Sequence, residues 1–305
     1  MNEIELLSVL KKGLLNVNLD IEDSSKYFGH NNPNWKNSIK AQNFYLLALE
    51  NNLYKNSVPG FKLGAGCKAV RSSAALIYNT LYSGKLRIKI NNDFKEFVGY
   101  TEKNKSFYEI PFKAIKDDEN STHTAKLDAG LISADGETLL LFEAKCLEWF
   151  DKNPKSLKEA YLRPERYFSE SSASVFIPLF RKIIEADEKN GKYNSKTERY
   201  DAIQMMIHIL GIYNWCFENN GKVPKHIKLI NLVWDYKCTE YDIEEQEGKA
   251  FVENVNKALR EEFKKIGRMD IDFSVEYVRY SDFLERIDWT NDIEHCRYLK
   301  RYEIK

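Results

Sequence analysis

Asp128, Glu143 and Lys145 are the residues whose types and spacing could carry a reaction. They lie in TAKLDAGLISADGETLLLFEAKC, residues 124–146, which reads as two strands joined by a tight turn. Asp135-Gly136 is a two-residue hairpin signal of the type I′ kind, which needs positive φ at both central positions. Counting outward from that turn, Ala134 faces Glu137, Ser133 faces Thr138, and Asp128 faces Glu143. Directly opposed side chains in an antiparallel pair have Cβ atoms about 4.5–5.5 Å apart. Two carboxylates at that distance repel, and a divalent cation between them turns repulsion into binding. Lys145, two residues beyond Glu143, points to the same face roughly 7 Å along the strand.

The elements that must hold these groups are apolar on both faces. Leu139 and Leu141 line one face of the second strand, Leu140 and Phe142 the other. Such strands are buried centrally in a sheet. Ionisable groups at the end of a buried strand are costly unless paired or used.

The set Asp128…Glu143-Ala144-Lys145 resembles the PD-(D/E)xK nuclease superfamily, the restriction-endonuclease-like group, over its central hairpin. The position that gives the motif its proline holds Lys126 or Leu127, a departure from the pattern. Arg71 to Asn79 also looks like a segment of one group of predicted bacterial type II restriction endonucleases, with Ala74 where that group has Gln. The resemblance implies an α/β fold: a central mixed β-sheet flanked by helices, with an N-terminal helical decoration. It implies Asp128 and Glu143 as ligands of Mg²⁺ (Mn²⁺ as substitute), with the Ala144 carbonyl as a third. Lys145 would position or deprotonate the attacking water. Ser73, Asn79 and Gln204 are the candidates to stand behind these groups, Gln204 by ordering the metal's water. Any third carboxylate must come from elsewhere, with Glu50 a weak candidate.

The whole chain has 305 residues, enough for one large domain or two. With 43% hydrophobic and 13% aromatic residues it has the composition of a soluble globular protein. The formal net charge is zero, so any nucleic-acid surface must concentrate positive charge locally. No stretch approaches the roughly 18–20 apolar residues of a membrane span. The acidic, amphipathic N-terminus is unlike a signal peptide. Cys67, Cys146, Cys216, Cys238 and Cys296 form no metal-binding spacing and read as reduced thiols of a cytoplasmic protein. There is no phosphate-binding GxxxxGK[ST], no HExxH and no GxSxG.

In chain order, residues 1–60 read as a helical arm, with helices from Ile4 to Leu14 and from Trp35 to Tyr54. A catalytic core spans 61–285 and a basic, aromatic tail 286–305, all within one domain. A helix is expected over 67–82, a strand at Leu86–Ile90, another at Phe107–Phe112, and a polar connection from Lys113 to Ser121. After the hairpin, Ser156 with Glu159 fits a capping box and predicts a helix. Its Lys155, Lys158, Arg163 and Arg166, with aromatics between them, are the candidate phosphate contacts. A further helix carries Pro178 in its first turns. RYDAIQMMIHILGIYNWCF predicts a buried helix with Gln204 and His208 on one face. His226–Tyr236 predicts a strand added in parallel. A long charged helix, a strand at 271–278 and a short helix follow. The C-terminal CRYLKRYEIK is expected either to touch DNA or to dock as a last element.

The resemblance, carried by Asp128, Glu143 and Lys145, implies a metal-dependent endonuclease of the type II restriction kind acting on double-stranded DNA; no membrane association is expected. The resemblance implies hydrolysis that leaves a 5′-phosphate, and cutting both strands predicts a homodimer. The alternatives are a nuclease of the same fold with another task (repair, defence or RNA cleavage) and a non-catalytic nucleic-acid-binding module on a decayed nuclease fold.

Overall fold

The computed structural model describes residues 3–17, 73–101, 106–117, 121–150, 155–187, 192–219, 223–265 and 270–303. The expected helix at 35–54, the turn at Gly64–Gly66 and Glu50 lie outside them. In chain order the elements are α1 (Glu3–Val17), α2 (Ser73–Leu81), β1 (Lys85–Ile90), β2 (Asp93–Gly99), β3 (Tyr108–Lys116), β4 (Thr122–Ser133) and β5 (Thr138–Lys145). Then come β6 (Ser156–Leu157), α3 (Glu170–Ile183), β7 (Ile184–Asp187), β8 (Lys192–Ser195), α4 (Ala202–Glu218), β9 (His226–Val233), α5 (Thr239–Lys265), β10 (Asp272–Arg279), α6 (Tyr280–Glu285) and α7 (Ile293–Leu299). The chain is α/β, built on a curled mixed sheet flanked by helices. Strands run β1-β2-β4-β5-β9-β10, with β3 also paired to β4.

β4 is long enough that one of its edges pairs with β3 at its start and with β2 at its end. Gly130 sits at that junction, and a Cβ there would meet Ile110 Cδ1 at 2.5 Å. β5 pairs antiparallel with β4 and parallel with β9, and β10 adds in parallel beyond it. Each residue from Leu139 to Phe142 is fully buried; a buried Leu or Phe side chain contributes about 1.5–3 kcal/mol. The β10 edge is closed by Asn256, whose side chain donates to the Val275 carbonyl (2.9 Å) and accepts from its N–H (2.8 Å).

Two cores lie on opposite faces of the sheet. One packs Leu6 and Leu10 of α1, α2, Trp149, Trp234 and the C-terminal residues against Leu140 and Phe142. The other packs α3, α4 and α5 against Leu139, Leu141, Leu127 and Phe112. Among the described residues no helix is long and apolar enough to cross a membrane.

Several expectations need correction. Ser133–Gly136 is the turn, closed by Gly136 N–H to the Ser133 carbonyl (2.8 Å). Gly136 alone has positive φ there, because the Asp135 carboxylate is held by the Glu137 N–H (3.0 Å) in a local Asx arrangement. Asn91-Asn92, both at positive φ, form a hairpin turn to β2, a strand that the polar DFKEFVG does not advertise. The polar connection after Phe112 is strand as far as Lys116, because it pairs with β4 across an irregularity between Lys113 and Ile115; Asn214 of α4 donates to the Lys113 and Ala114 carbonyls there.

No α-helix starts at Ser156. That residue pairs with Asn194 in a small three-stranded sheet, and residues 159–166 form two 3₁₀ turns interrupted before Pro164. Pro178 is deep inside α3, because the helix begins at Glu170 under a Ser169 cap. The C-terminal segment is docked: Tyr302 is buried, its hydroxyl accepts from Asn79 and its carbonyl accepts from Trp234 Nε1 (2.8 Å).

Candidate active site

The β4–β5 ladder pairs Ala129 with Phe142, Gly130 with Leu141, Leu131 with Leu140 and Ile132 with Leu139. That register places Asp128 across from Glu143. Backbone pairing stops there, and the Asp128 carboxylate takes over the next donor: Oδ2 accepts the Ala144 N–H at 2.7 Å. The same point is a break in β3. Tyr108 and Ala129 belong to one core, whereas Ile110 and Leu127 belong to the other, so both strands change the face they present between these residues.

Glu143 is 3% exposed and surrounded. Its Oε1 accepts from Lys145 Nζ (2.7 Å) and from Gln204 Nε2 (2.9 Å), and Gln204 Oε1 accepts from Lys145 Nζ (2.7 Å). The three side chains thus close a triangle. Asp201 caps α4 by accepting the Gln204 N–H (3.1 Å), which sets Gln204 in the first turn facing the sheet. One turn on, His208 Nε2 stands 3.1 Å from Glu143 Oε2, close but poorly aligned for a hydrogen bond. Replacing His208 by leucine removes one of three groups that face the buried Glu143 carboxylate, which keeps Lys145 and Gln204, and is expected to destabilise the fold by about 2 kcal/mol. Urea unfolding measures this; a loss under about 1 kcal/mol contradicts the role.

The two carboxylates titrate apart. Burial, and next to it the charge of Glu143, holds Asp128 well above the usual carboxylate range. Burial also works to raise Glu143, but the Lys145 ammonium and His208 together outweigh it and hold that group at about 2. Burial works to lower Lys145, yet Glu143, Glu148 and Asp201 outweigh it and keep the ammonium above its usual range. Burial and Glu143 therefore favour the protonated form of Asp128, while Lys145 and His208 hold Glu143 ionised. Each proton held by repulsion is one that a cation can displace.

A third carboxylate stands nearby that sequence reasoning missed. Tyr108 pairs with Ala129 and Ile110 with Leu127, so Glu109 of β3 lies opposite Asp128 of β4. Burial raises it, Lys126 opposes, and Glu143 raises it further. Its φ of 53° is a left-handed conformation that a Glu rarely adopts. The only sequence signal was an acid inside an otherwise apolar YEIPF. Glu109→Asn keeps a residue tolerant of that backbone and removes a like charge. It is expected to stabilise the cation-free protein by about 1 kcal/mol and to weaken divalent-cation binding, read by thermal melts and calorimetry.

The other predicted residues divide. Gln204 is in the cluster. Asn79 and Ser73 are on α2, against the opposite face of the sheet; the Asn79 side chain serves Tyr302 and its carbonyl meets His295 Nε2. They stand apart from the carboxylates because α2 packs on the Phe142 side of β5, and the Glu143 side belongs to α4. Lys155 is exposed, 3.9 Å from Asp201 Oδ2, and lines a cavity that Lys145 also lines. Lys158 is exposed. Arg163 is paired with Glu159 (3.0 Å) and Arg166 is half-buried.

Among the described residues no three His, Cys, Asp or Glu side chains converge as a ready metal cluster. The donor set for a cation here is the Asp128–Glu143 pair, all oxygen, and it fits an ion that keeps several waters. The chain matches no family model, no curated protein and no solved structure.

Proposed function

We propose that this chain is a divalent-cation-dependent deoxyribonuclease with a restriction-endonuclease-like core of the PD-(D/E)xK kind. The observation that supports it is the buried Asp128–Glu143 pair, split in titration, with Lys145 and Gln204 bonded to Glu143 at the end of a buried hairpin. Asp128 and Glu143, with the Ala144 carbonyl, would hold Mg²⁺ or Mn²⁺. When bound, that ion polarises a phosphate and acidifies a water. Lys145, kept as an ammonium, positions the attacking water and contacts the phosphate by donating hydrogen bonds; it is not the base. Gln204 holds Lys145 and Glu143 at fixed spacing. Lys155 and Lys158 are exposed on the segment leaving β5 and would meet the backbone of double-stranded DNA. Cutting both strands takes two such sites, hence a homodimer.

Incubating plasmid and genomic DNA with Mg²⁺ tests this directly, with Lys145→Ala beside the wild type. Discrete fragments from the wild type alone, lost with EDTA, support a restriction-type enzyme. A smear keeps the nuclease and removes sequence specificity. Identical inertness of both proteins on DNA and RNA overturns the reading in favour of a binding module.

A further inference from the structure

Behind Lys145, on the side towards α5, lies a cavity of about 50 Å³. Its walls bring together several polar groups whose bonding is incomplete. Tyr200 is 3% exposed and its hydroxyl has no hydrogen-bond partner among the described residues. Asn231 is 1% exposed; its Nδ2 donates to the Glu143 carbonyl (3.2 Å), while Oδ1 has no partner among them. The Arg199 side chain is 8% exposed and donates from Nη1 to the Phe150 carbonyl, and its Nε makes no hydrogen bond, with Glu198 at 3.6 Å. An ammonium has three N–H donors. Lys145 spends one on Glu143 and one on Gln204.

Buried polar atoms need partners. The mixture of types says which partner fits. An anion would face Asn231 Oδ1 and the carboxylates of Glu148 and Asp201, both of which line the cavity. A cation would face Lys145 and Arg199. A neutral molecule that both donates and accepts satisfies all four groups, and the volume has room for about three waters.

We propose that this cavity holds a short run of ordered waters connecting Lys145 to solvent beside Lys155, and that Tyr200 and Asn231 are positioning residues that hold this run and, through it, the Lys145 ammonium that presents the attacking water to the phosphate. The inference rests on the nuclease reading. In the step it serves, the water oxygen bonds to phosphorus as the bond from phosphorus to the leaving sugar oxygen breaks. One water proton passes along the run to bulk, and the sugar oxygen takes one from solvent. Tyr200 owes its place to Gly248: a Cβ there would meet Tyr277 Cδ2 at 2.5 Å and Tyr200 Cδ2 at 3.0 Å.

Tyr200→Phe keeps the ring against Gly248 and removes only the hydroxyl. High-resolution crystal structures of the wild type and this variant, with kcat and KM on duplex DNA with Mg²⁺, test the proposal. The expected result is ordered water within hydrogen-bonding distance of the Tyr200 hydroxyl and Asn231 Oδ1 in the wild type. In the variant that water is displaced, kcat falls about tenfold and KM stays within about twofold. A wild-type cavity without ordered water, or an ion in its place, overturns the proposal. So does a variant as fast as an active wild type, which leaves the nuclease reading standing. A wild type inert on every nucleic acid overturns both.

Discussion

Asp128→Asn is expected to abolish cation-dependent cleavage and at the same time to make the cation-free protein more stable. The carboxyl of Asp128 is held above its ordinary range by burial and by Glu143. A carboxyl raised in the folded state binds its proton more tightly there than in the unfolded chain. Its contribution is favourable only at low pH, and it turns into a growing cost as pH rises above the unfolded value of 3.8. Asparagine keeps an oxygen to accept the Ala144 N–H, now at 2.7 Å from Oδ2, and has nothing to ionise. The variant should gain on the wild type as pH rises above 3.8, and the loss in kcat should be at least about a thousandfold. Chemical denaturation beside a cleavage assay measures both. A variant that is both less stable and still active contradicts the account of the pair.

Glu244 gives the second large effect. It is 2% exposed on α5, and its carboxylate accepts from the Tyr277 hydroxyl. Burial pushes it from 4.5 up to about 8. Between those values the folded protein keeps a proton that the unfolded chain has released, so stability is greatest below about pH 4.5 and falls as pH rises towards 8. The slope reaches about 1.4 kcal/mol per pH unit, nearly ~5 kcal/mol across the window. Glu244→Gln retains an acceptor for Tyr277 and removes the titration. Urea unfolding at pH 5, 6.5 and 8 should show the variant gaining steadily on the wild type. Parallel pH curves for the two proteins would refute this.

The register of the central hairpin was legible because the loop, whatever its turn type, is centred between Ala134 and Glu137. Asp128 therefore faces Glu143 under either turn. The long apolar run of α4 and the strands β9 and β10 were also readable from their pattern and flanking signals. What escaped depends on contacts distant in sequence. Gln204 was expected behind Glu143 and Lys145, but the triangle they close spans 61 residues, and Glu109 comes opposite Asp128 only through β3–β4 pairing. Asn79 stood as a site candidate through the resemblance of residues 71–79 to a restriction-endonuclease segment. Its partner Tyr302 is 223 residues away, at the other end of the chain. Ser156 and Glu159 satisfy a local capping pattern, and pairing with Asn194 overrides it.

In the proposed site a divalent cation binds between Asp128 and Glu143 and displaces the proton that burial and Glu143 favour on Asp128. Calorimetric titration of Mg²⁺ into the wild type at neutral pH, repeated in buffers of different ionisation enthalpy, measures binding and proton release together. The expected result is saturable binding with net proton release, both lost in Asp128→Asn. Binding with no proton released, or no binding at all, contradicts it.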